Sequence, residues 1–350
     1  MRRITLFAAC ATAAVGCLTV TGPAAHAAPR VLHVAADGTG QYRTVQAAVD
    51  AVPGGNTQPV TILVDKGVYH EVVSIPADRP DIRLRGATGN PADVVISYEN
   101  AAGTPMPGGG GGYGTAGSAT MTVNANDFTA ENLSVVNAFD AAANPGVASQ
   151  AVAVRTLGDR IAFYHTRILG HQDTLYLDEP STTVTTRVYL RDSYVAGTVD
   201  FIFGGAVTVF EHCTIDALDR GSTTTNGYIT AASTQLRQRY GFLFTRSTFV
   251  STATARTYYL GRPWHHSGDP LAIAQVVIRD STLGAHVKDQ PWTDMSGWSW
   301  VAARFDEYHN TGPGAGAGLF RPQLTDEQAP RYTPASYLAG DDHWSPERNT

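Results

Sequence analysis

The chain has 350 residues, with 31 acidic side chains against 25 basic ones and a formal net charge of −6. That length allows one large domain or two ordinary ones. The acidic balance argues against nucleic acid or an anionic membrane surface as a partner.

Residues 1–28 read as a secretory signal peptide. Met-Arg-Arg is a short basic head, residues 4–20 are an apolar run too short for a comfortable membrane span, and Ala25-His26-Ala27 is a small-residue cleavage pattern. Cleavage near Ala27 or Ala28 takes Arg2 and Arg3 away, so 25 basic side chains become 23 against 31 acidic ones and the mature charge is −8. Two rival readings carry less weight: Arg2-Arg3 as part of a twin-arginine signal, and Val15-Gly16-Cys17 as a lipoprotein box that would leave a lipid anchor. No later segment is apolar enough to span a bilayer. Cys10 and Cys17 depart with the leader and Cys213 stays alone, so the secreted protein is expected to have no internal disulfide. Residues 29–350 are expected to form one domain.

Residues 44–53, TVQAAVDAVP, have helical periodicity and are expected to form a helix that caps the N-terminal end of this domain. Residues 105–118, PMPGGGGGYGTAGS, read as a flexible loop. Gly112, Gly114 and Gly117 satisfy G-x-G-x-x-G, but the following ATMTV is a strand pattern, so a dinucleotide cradle is not expected.

Six eight-residue units then align without gaps: FTAENLSV, IAFYHTRI, VYLRDSYV, TVFEHCTI, FLFTRSTF and VVIRDSTL, starting at residues 128, 161, 188, 208, 242 and 276. Positions three and eight are apolar in all six. Position five holds Asn132, His165, Asp192, His212, Arg246 and Asp280, and position six is mostly small. The alternation is a strand signal. No long amphipathic helix intervenes, which argues against βαβ units. Strands repeated at this interval predict a parallel β-helix, each coil stacking on the last. QAVAVR at 150–155, YITAAS at 228–233 and YYL at 258–260 would supply another face. Cys213 then reads as an interior stacking residue rather than a reactive thiol. Residues 325–339 mix helix formers with proline, and Thr325 with Gln328 forms a weak capping box, so this stretch is read as a tail packed along the helix.

GTVDFIFGG, residues 197–205, sets Asp200 among apolar neighbours, where a carboxylate is costly unless paired or used. Asp200 lies eight residues beyond position five of its unit, and Asp173 lies eight beyond position five of the unit before. Equal offsets on stacked coils place the two side by side, since adjacent strands are about 4.8 Å apart. One pKa is then expected to rise and the other to fall, giving a proton donor beside an ionised nucleophile or base. Gln172 and Gln150 offer amide donors for an oxyanion. Arg262 can orient a carboxylate, and Trp264 offers a stacking face for a sugar ring. Singly, each has a plain structural reading; jointly they look like a site. There is no G-x-S-x-G elbow and no Cys/His cluster. The neighbouring pair His265-His266 reads as solvated.

Taken in order, GVYHE (67–71), QAVAVR, GHQDTLY (170–176), DFIFG (200–204), YLGRPW (259–264) and EYHNTGPGA (307–315) closely resemble the pectin methylesterase (pectinesterase) family, from about residue 32 to 346. The resemblance implies an all-β, right-handed parallel β-helix. It implies Asp200 as nucleophile, Asp173 as acid/base, Gln150 and Gln172 as the oxyanion hole, and Arg262 as the residue positioning Asp200. Trp264 would line the sugar subsite, with Tyr176, Phe203, Val199 and Thr115 contributing. QAVAVR in place of the commoner QAVALR, His171 where many members carry an aromatic, and the glycine run at 108–112 bear on subsite preference.

The implied reaction is hydrolysis of galacturonate methyl esters in pectin, without metal or cofactor, by a secreted, extracellular monomer. A β-helix also suits pectin glycosidases, whose paired carboxyls would stand about 5 Å apart, and lyases, which would call for clustered acids around calcium. A non-catalytic polysaccharide-binding solenoid is the third class.

Overall fold

The computed structural model describes Met1 and residues 30–349. Apart from Met1, the proposed signal peptide, with Cys10 and Cys17, therefore lies outside the described residues.

The chain winds as a right-handed parallel β-helix with three sheets of ten, eight and seven strands. Each of the inner coils contributes one strand to each sheet, and the coils at the two ends contribute fewer. In the middle of the protein, Ile161–Tyr164 belongs to the first sheet, Arg167–Leu169 to the second and Leu175–Leu177 to the third. The next coil repeats this with Arg187–Arg191, Tyr194–Gly197 and Val199–Gly204. Every pairing between these strands is parallel, and Ile161 opposite Val188 has the same step as Leu175 opposite Ile202. The regions expected as a further face form strands of the third sheet, at Val154–Thr156, Gly227–Ala232 and Tyr258–Gly261.

The eight-residue unit is one corner of the coil. Its first half lies in the first sheet and its last residues in the second. Position five turns between them: Asn132, His165, Asp192, His212, Arg246 and Asp280 all have φ between 48° and 53°. Polar residues that tolerate the left-handed region collect there because that is what a sharp corner demands. Position six points inward and builds a ladder. The backbone N–H of Thr166 donates to Ser193 Oγ, that of Cys213 to Ser247 Oγ and that of Ser247 to Ser281 Oγ, each at 3.1 Å. Cys213 is thus a stacking residue, 1% exposed, its thiol pushed up to about 12 by burial.

Val45–Asp50 is the N-terminal helix, capped by Thr44 Oγ1, with Val45, Ala48 and Val49 buried against the first turns of the solenoid. Glu71 receives the N–H groups of Val45 and Gln46 at 2.8 and 2.9 Å. At the other end, Thr325 and Gln328 exchange the two hydrogen bonds of a capping box, at 2.9 and 3.2 Å. Beyond them Pro334–Leu338 is a short helix lying on Val207–Glu211 and Arg187–Arg191. Its Tyr337 and Leu338 complete an apolar layer with Tyr164, Tyr189, Val209, Leu243 and Val277 outside the first sheet. No helix among the described residues is long and apolar enough to cross a membrane.

Candidate active site

The site forms where the second sheet turns into the third. Asp173 and Asp200 both sit at left-handed corners, with φ of 63° and 48°. The pairing of Leu175 with Ile202 and of Tyr176 with Phe203 puts the two aspartates at the same level of adjacent coils. The offset read in the sequence is therefore a real juxtaposition. In the other direction the register of Val199–Gly204 against Gly227–Ala232 shifts between Val199 and Ile202. This irregularity lets the consecutive Phe201 and Ile202 both enter the core while Asp200 remains at the cleft. At the end of the strand, Gly204 has φ +123°, and a Cβ there would overlap the carbonyl of Leu177.

A cleft of about 530 Å³ opens over this corner. Asp173, Asp200, Gln150, Gln172, Arg262, Trp264, Tyr176, Phe203 and Thr115 all line it. Val199 does not; it borders an adjoining 250 Å³ depression with His171, Arg220 and Phe139, joined to the cleft at Gln172. Ala116, Ala231, His266 and Met295 complete the lining and carry no motif that sequence reasoning could use. The solvated reading of the histidine pair is corrected in part: His266 is exposed but stacks on Trp264 at 4.6 Å, and His265 stacks on Trp298 at 3.7 Å. The glycine-rich loop contributes Thr115 through a single helical turn, Gly114–Gly117, followed by the expected strand Met121–Val123.

The two carboxyls have different company. Arg262 grips Asp200 with both arms of its fork, Nε to Oδ1 at 2.8 Å and Nη2 to Oδ2 at 2.5 Å. Such a bidentate pair favours the ionised carboxylate. Asp173 has no such partner. Burial, with the Asp200 charge beside it, raises its pKa to about 8. Burial pushes Asp200 upward as well, opposed by the hydrogen bonds and charge of Arg262. The expectation that one value rises and the other falls is thus corrected. Desolvation acts on both, and the arginine decides which of them carries the charge.

The glutamines face the same space. Ser149 donates its hydroxyl to Gln172 Oε1 at 3.0 Å, which occupies the amide oxygen and leaves the amide N–H groups for the cleft. One wall is apolar. Tyr176 and Phe203 stack at 4.3 Å and 13°, and Trp264 meets them edge-on at 6.0 and 5.6 Å. This gives a carboxylate nucleophile or base, a neutral carboxyl, two amide donors and an apolar platform on one surface. Among the described residues no three His, Cys, Asp or Glu side chains gather closely enough to hold a metal ion.

Residues 31–341 match the model of the family described as Pectinesterase. A pectinesterase of Ralstonia solanacearum is 38% identical over 315 residues, covering 81% of this chain and 79% of its own. Pectinesterase A of Dickeya chrysanthemi is 36% identical over 339 residues, covering 87% and 88%. Among solved structures, a pectin methylesterase from Erwinia chrysanthemi superposes with a TM-score of 0.81 at 34% identity, over 92% of this chain and 99% of that one. A pectin methylesterase in complex with a hexasaccharide gives a TM-score of 0.81 at 34% identity, over 91% and 99%.

Proposed function

The chain belongs to the pectinesterase family, and from that premise we propose how its cleft carries out the reaction. The enzyme hydrolyses methyl esters of pectin, releasing methanol and leaving free galacturonate carboxylates. The observation that carries the assignment of roles is the asymmetry of the aspartate pair: Asp200 held by Arg262, Asp173 buried beside it without a cation of its own.

Asp200 attacks the carbonyl carbon of the ester with one carboxylate oxygen. The developing oxyanion takes hydrogen bonds from the side-chain amides of Gln150 and Gln172. As the tetrahedral intermediate collapses, the bond to the methoxy oxygen breaks and Asp173 delivers its proton there, so methanol leaves neutral. An anhydride now joins the galacturonoyl carbon to Asp200. Asp173, ionised by that transfer, takes a proton from water as the water attacks the same carbon. The anhydride opens, Asp200 leaves as carboxylate, Asp173 is again protonated, and the new carboxylic acid loses its proton to solvent. Arg262 keeps Asp200 ionised and aimed before the attack and receives it again as the leaving carboxylate. The wall of Tyr176, Phe203 and Trp264 suits the apolar face of a sugar ring. Thr115 lines the cleft beside that wall, whereas Val199 borders the adjoining depression, which a neighbouring sugar of the polymer would have to enter to reach it.

Secretion belongs to the same proposal: the leader pattern of residues 1–28 and a polymeric substrate outside the cell support an extracellular enzyme, and sheets that run through the described residues support a single domain. A retaining glycosidase would use a similar pair of carboxyls, so the test measures methanol, chain length and unsaturated product separately on highly methylated pectin. Methanol without chain shortening is expected. Shortening, or unsaturated ends, would overturn the proposal.

A further inference from the structure

Arg262, which lines the cleft, also rests on an aromatic ring that does not line it. Its guanidinium carbon lies 3.7 Å from the centre of the Tyr228 ring. Tyr228 in turn stacks on Tyr259 at 5.3 Å and 9°, and Lys288 Nζ sits 4.8 Å from the Tyr259 ring on the same row. Two cations thus bracket two parallel rings. The strands explain the alignment, since Tyr228 and Tyr259 are register partners in the third sheet. Tyr228 is half-buried and is not among the residues lining the cleft.

A guanidinium on a flexible stem has many orientations, and only one plane offers Nε and Nη2 together to both oxygens of Asp200. The Arg262 backbone is fixed by its N–H to the Thr230 carbonyl at 3.1 Å, but that bond leaves the side chain free to rotate. The Tyr228 face is what selects the plane. A guanidinium lying over the face of a half-buried ring is attracted by it, which favours that one orientation over its competitors.

We propose that Tyr228 is a positioning residue for the esterase reaction, fixing the Arg262 fork on the Asp200 nucleophile without touching substrate. This rests on the reading of Asp200 as the nucleophile. The charged and titratable groups facing Asp200 are Arg262 and Asp173, and those facing Arg262 are Asp200, Asp173 and Tyr228. Loosening Arg262 removes the influence that opposes burial at Asp200, so the ionisation of the nucleophile moves to higher pH.

The test is steady-state methanol release by Tyr228→Leu and Tyr228→Phe over a pH series, with melting temperature as the check on folding. Tyr228→Phe keeps the ring and is expected within twofold of wild type at every pH. Tyr228→Leu is expected to lose about tenfold in kcat, the equivalent of about 1.4 kcal/mol, with KM within twofold and the acid limb of kcat/KM displaced upward. Should Tyr228→Leu fail to accumulate as folded protein, Tyr228→Met carries the same expectation. Unchanged kcat and acid limb in the folded variant without a ring, or a Phe variant as impaired as that one, would overturn the proposal. Asp200→Asn is measured alongside. An inactive Asp200→Asn with a fully active Tyr228→Leu defeats this inference alone, whereas an active Asp200→Asn defeats the assignment of the nucleophile on which it rests.

Discussion

Asp173 and Asp200 occupy the same corner of two successive coils, both at left-handed backbone angles, yet only Asp200 is gripped by an arginine. One structural position, repeated by the solenoid, is thereby divided into two chemical states. The division follows from what packs against each carboxyl, and it can be tested one side chain at a time.

For Asp173 the expectation concerns both rate and stability. Burial raises its pKa to about 8, so its proton is available at neutral pH and lost above that. kcat/KM should fall as pH rises through about 8. In the unfolded chain the same group ionises near about 4. The native state withholds that ionisation until about 8, so it loses stability relative to the unfolded state as pH climbs between those values. Asp173→Asn removes the cost. Its melting temperature should exceed that of wild type by a margin that widens from pH 4 to pH 8, while turnover falls by several orders of magnitude. A margin independent of pH would contradict the assignment.

Arg262→Lys replaces a planar fork by a point charge, which cannot hold both oxygens of Asp200 in one geometry. kcat should fall by about a hundredfold with smaller change in KM, and Arg262→Ala should fall further. Kinetics of Arg262→Lys close to wild type would mean that charge alone suffices.

Cys213 is enclosed among apolar strand residues, and its neighbours in the ladder are Ser193 and Ser247. In the folded enzyme it should resist thiol reagents at pH 8 and react only on addition of denaturant. Cys213→Ser should keep activity within twofold, because the same rung is a hydroxyl in the coils on either side. Rapid labelling of the native protein would show that the corner opens.

The C-terminal segment is held by Arg187, which pairs with Asp159 and Asp342 at 2.6 Å each and donates to the carbonyls of Leu338 and Ala339 at 2.9 and 3.3 Å. Asp342 is exposed and both carboxylates keep Arg160 as a partner, so the main loss on removing Arg187 is its buried stem and its hydrogen bonds to the Leu338 and Ala339 carbonyls, about 1–2 kcal/mol. Arg187→Ala should therefore lower the melting temperature by several degrees and leave kcat nearly unchanged, since the tail covers the first sheet, away from the cleft. Thermal unfolding followed by circular dichroism reads the first, and methanol release the second.

The repeat, the strands and the aspartate pair are legible in the sequence because a parallel solenoid writes its period directly into the apolar pattern. Asp173 and Asp200 stand at equal offsets from His165 and Asp192, and equal offset becomes adjacency once coils stack. Hydropathy conveys less about backbone angles. Position five reads only as polar, although its meaning is the left-handed corner. The register shift between Val199 and Ile202 has no signature beyond a run of apolar residues. Ala116, Ala231, His266 and Met295 reach the cleft from separate coils and loops, with no shared spacing to betray them. Tyr228 is legible only as part of a strand. Its role emerges when the next strand lays Arg262 across its ring.

Methanol release from highly methylated pectin by Asp200→Asn tests the central claim most directly. The substitution keeps the shape of the side chain and removes the charge that Arg262 holds. The folded variant, checked by circular dichroism, should release methanol several orders of magnitude more slowly than wild type, at every pH, without restoration by added salt or metal. Methanol release near the wild-type rate from that folded variant would contradict the account, since Asp200 would then not be the group that attacks the ester.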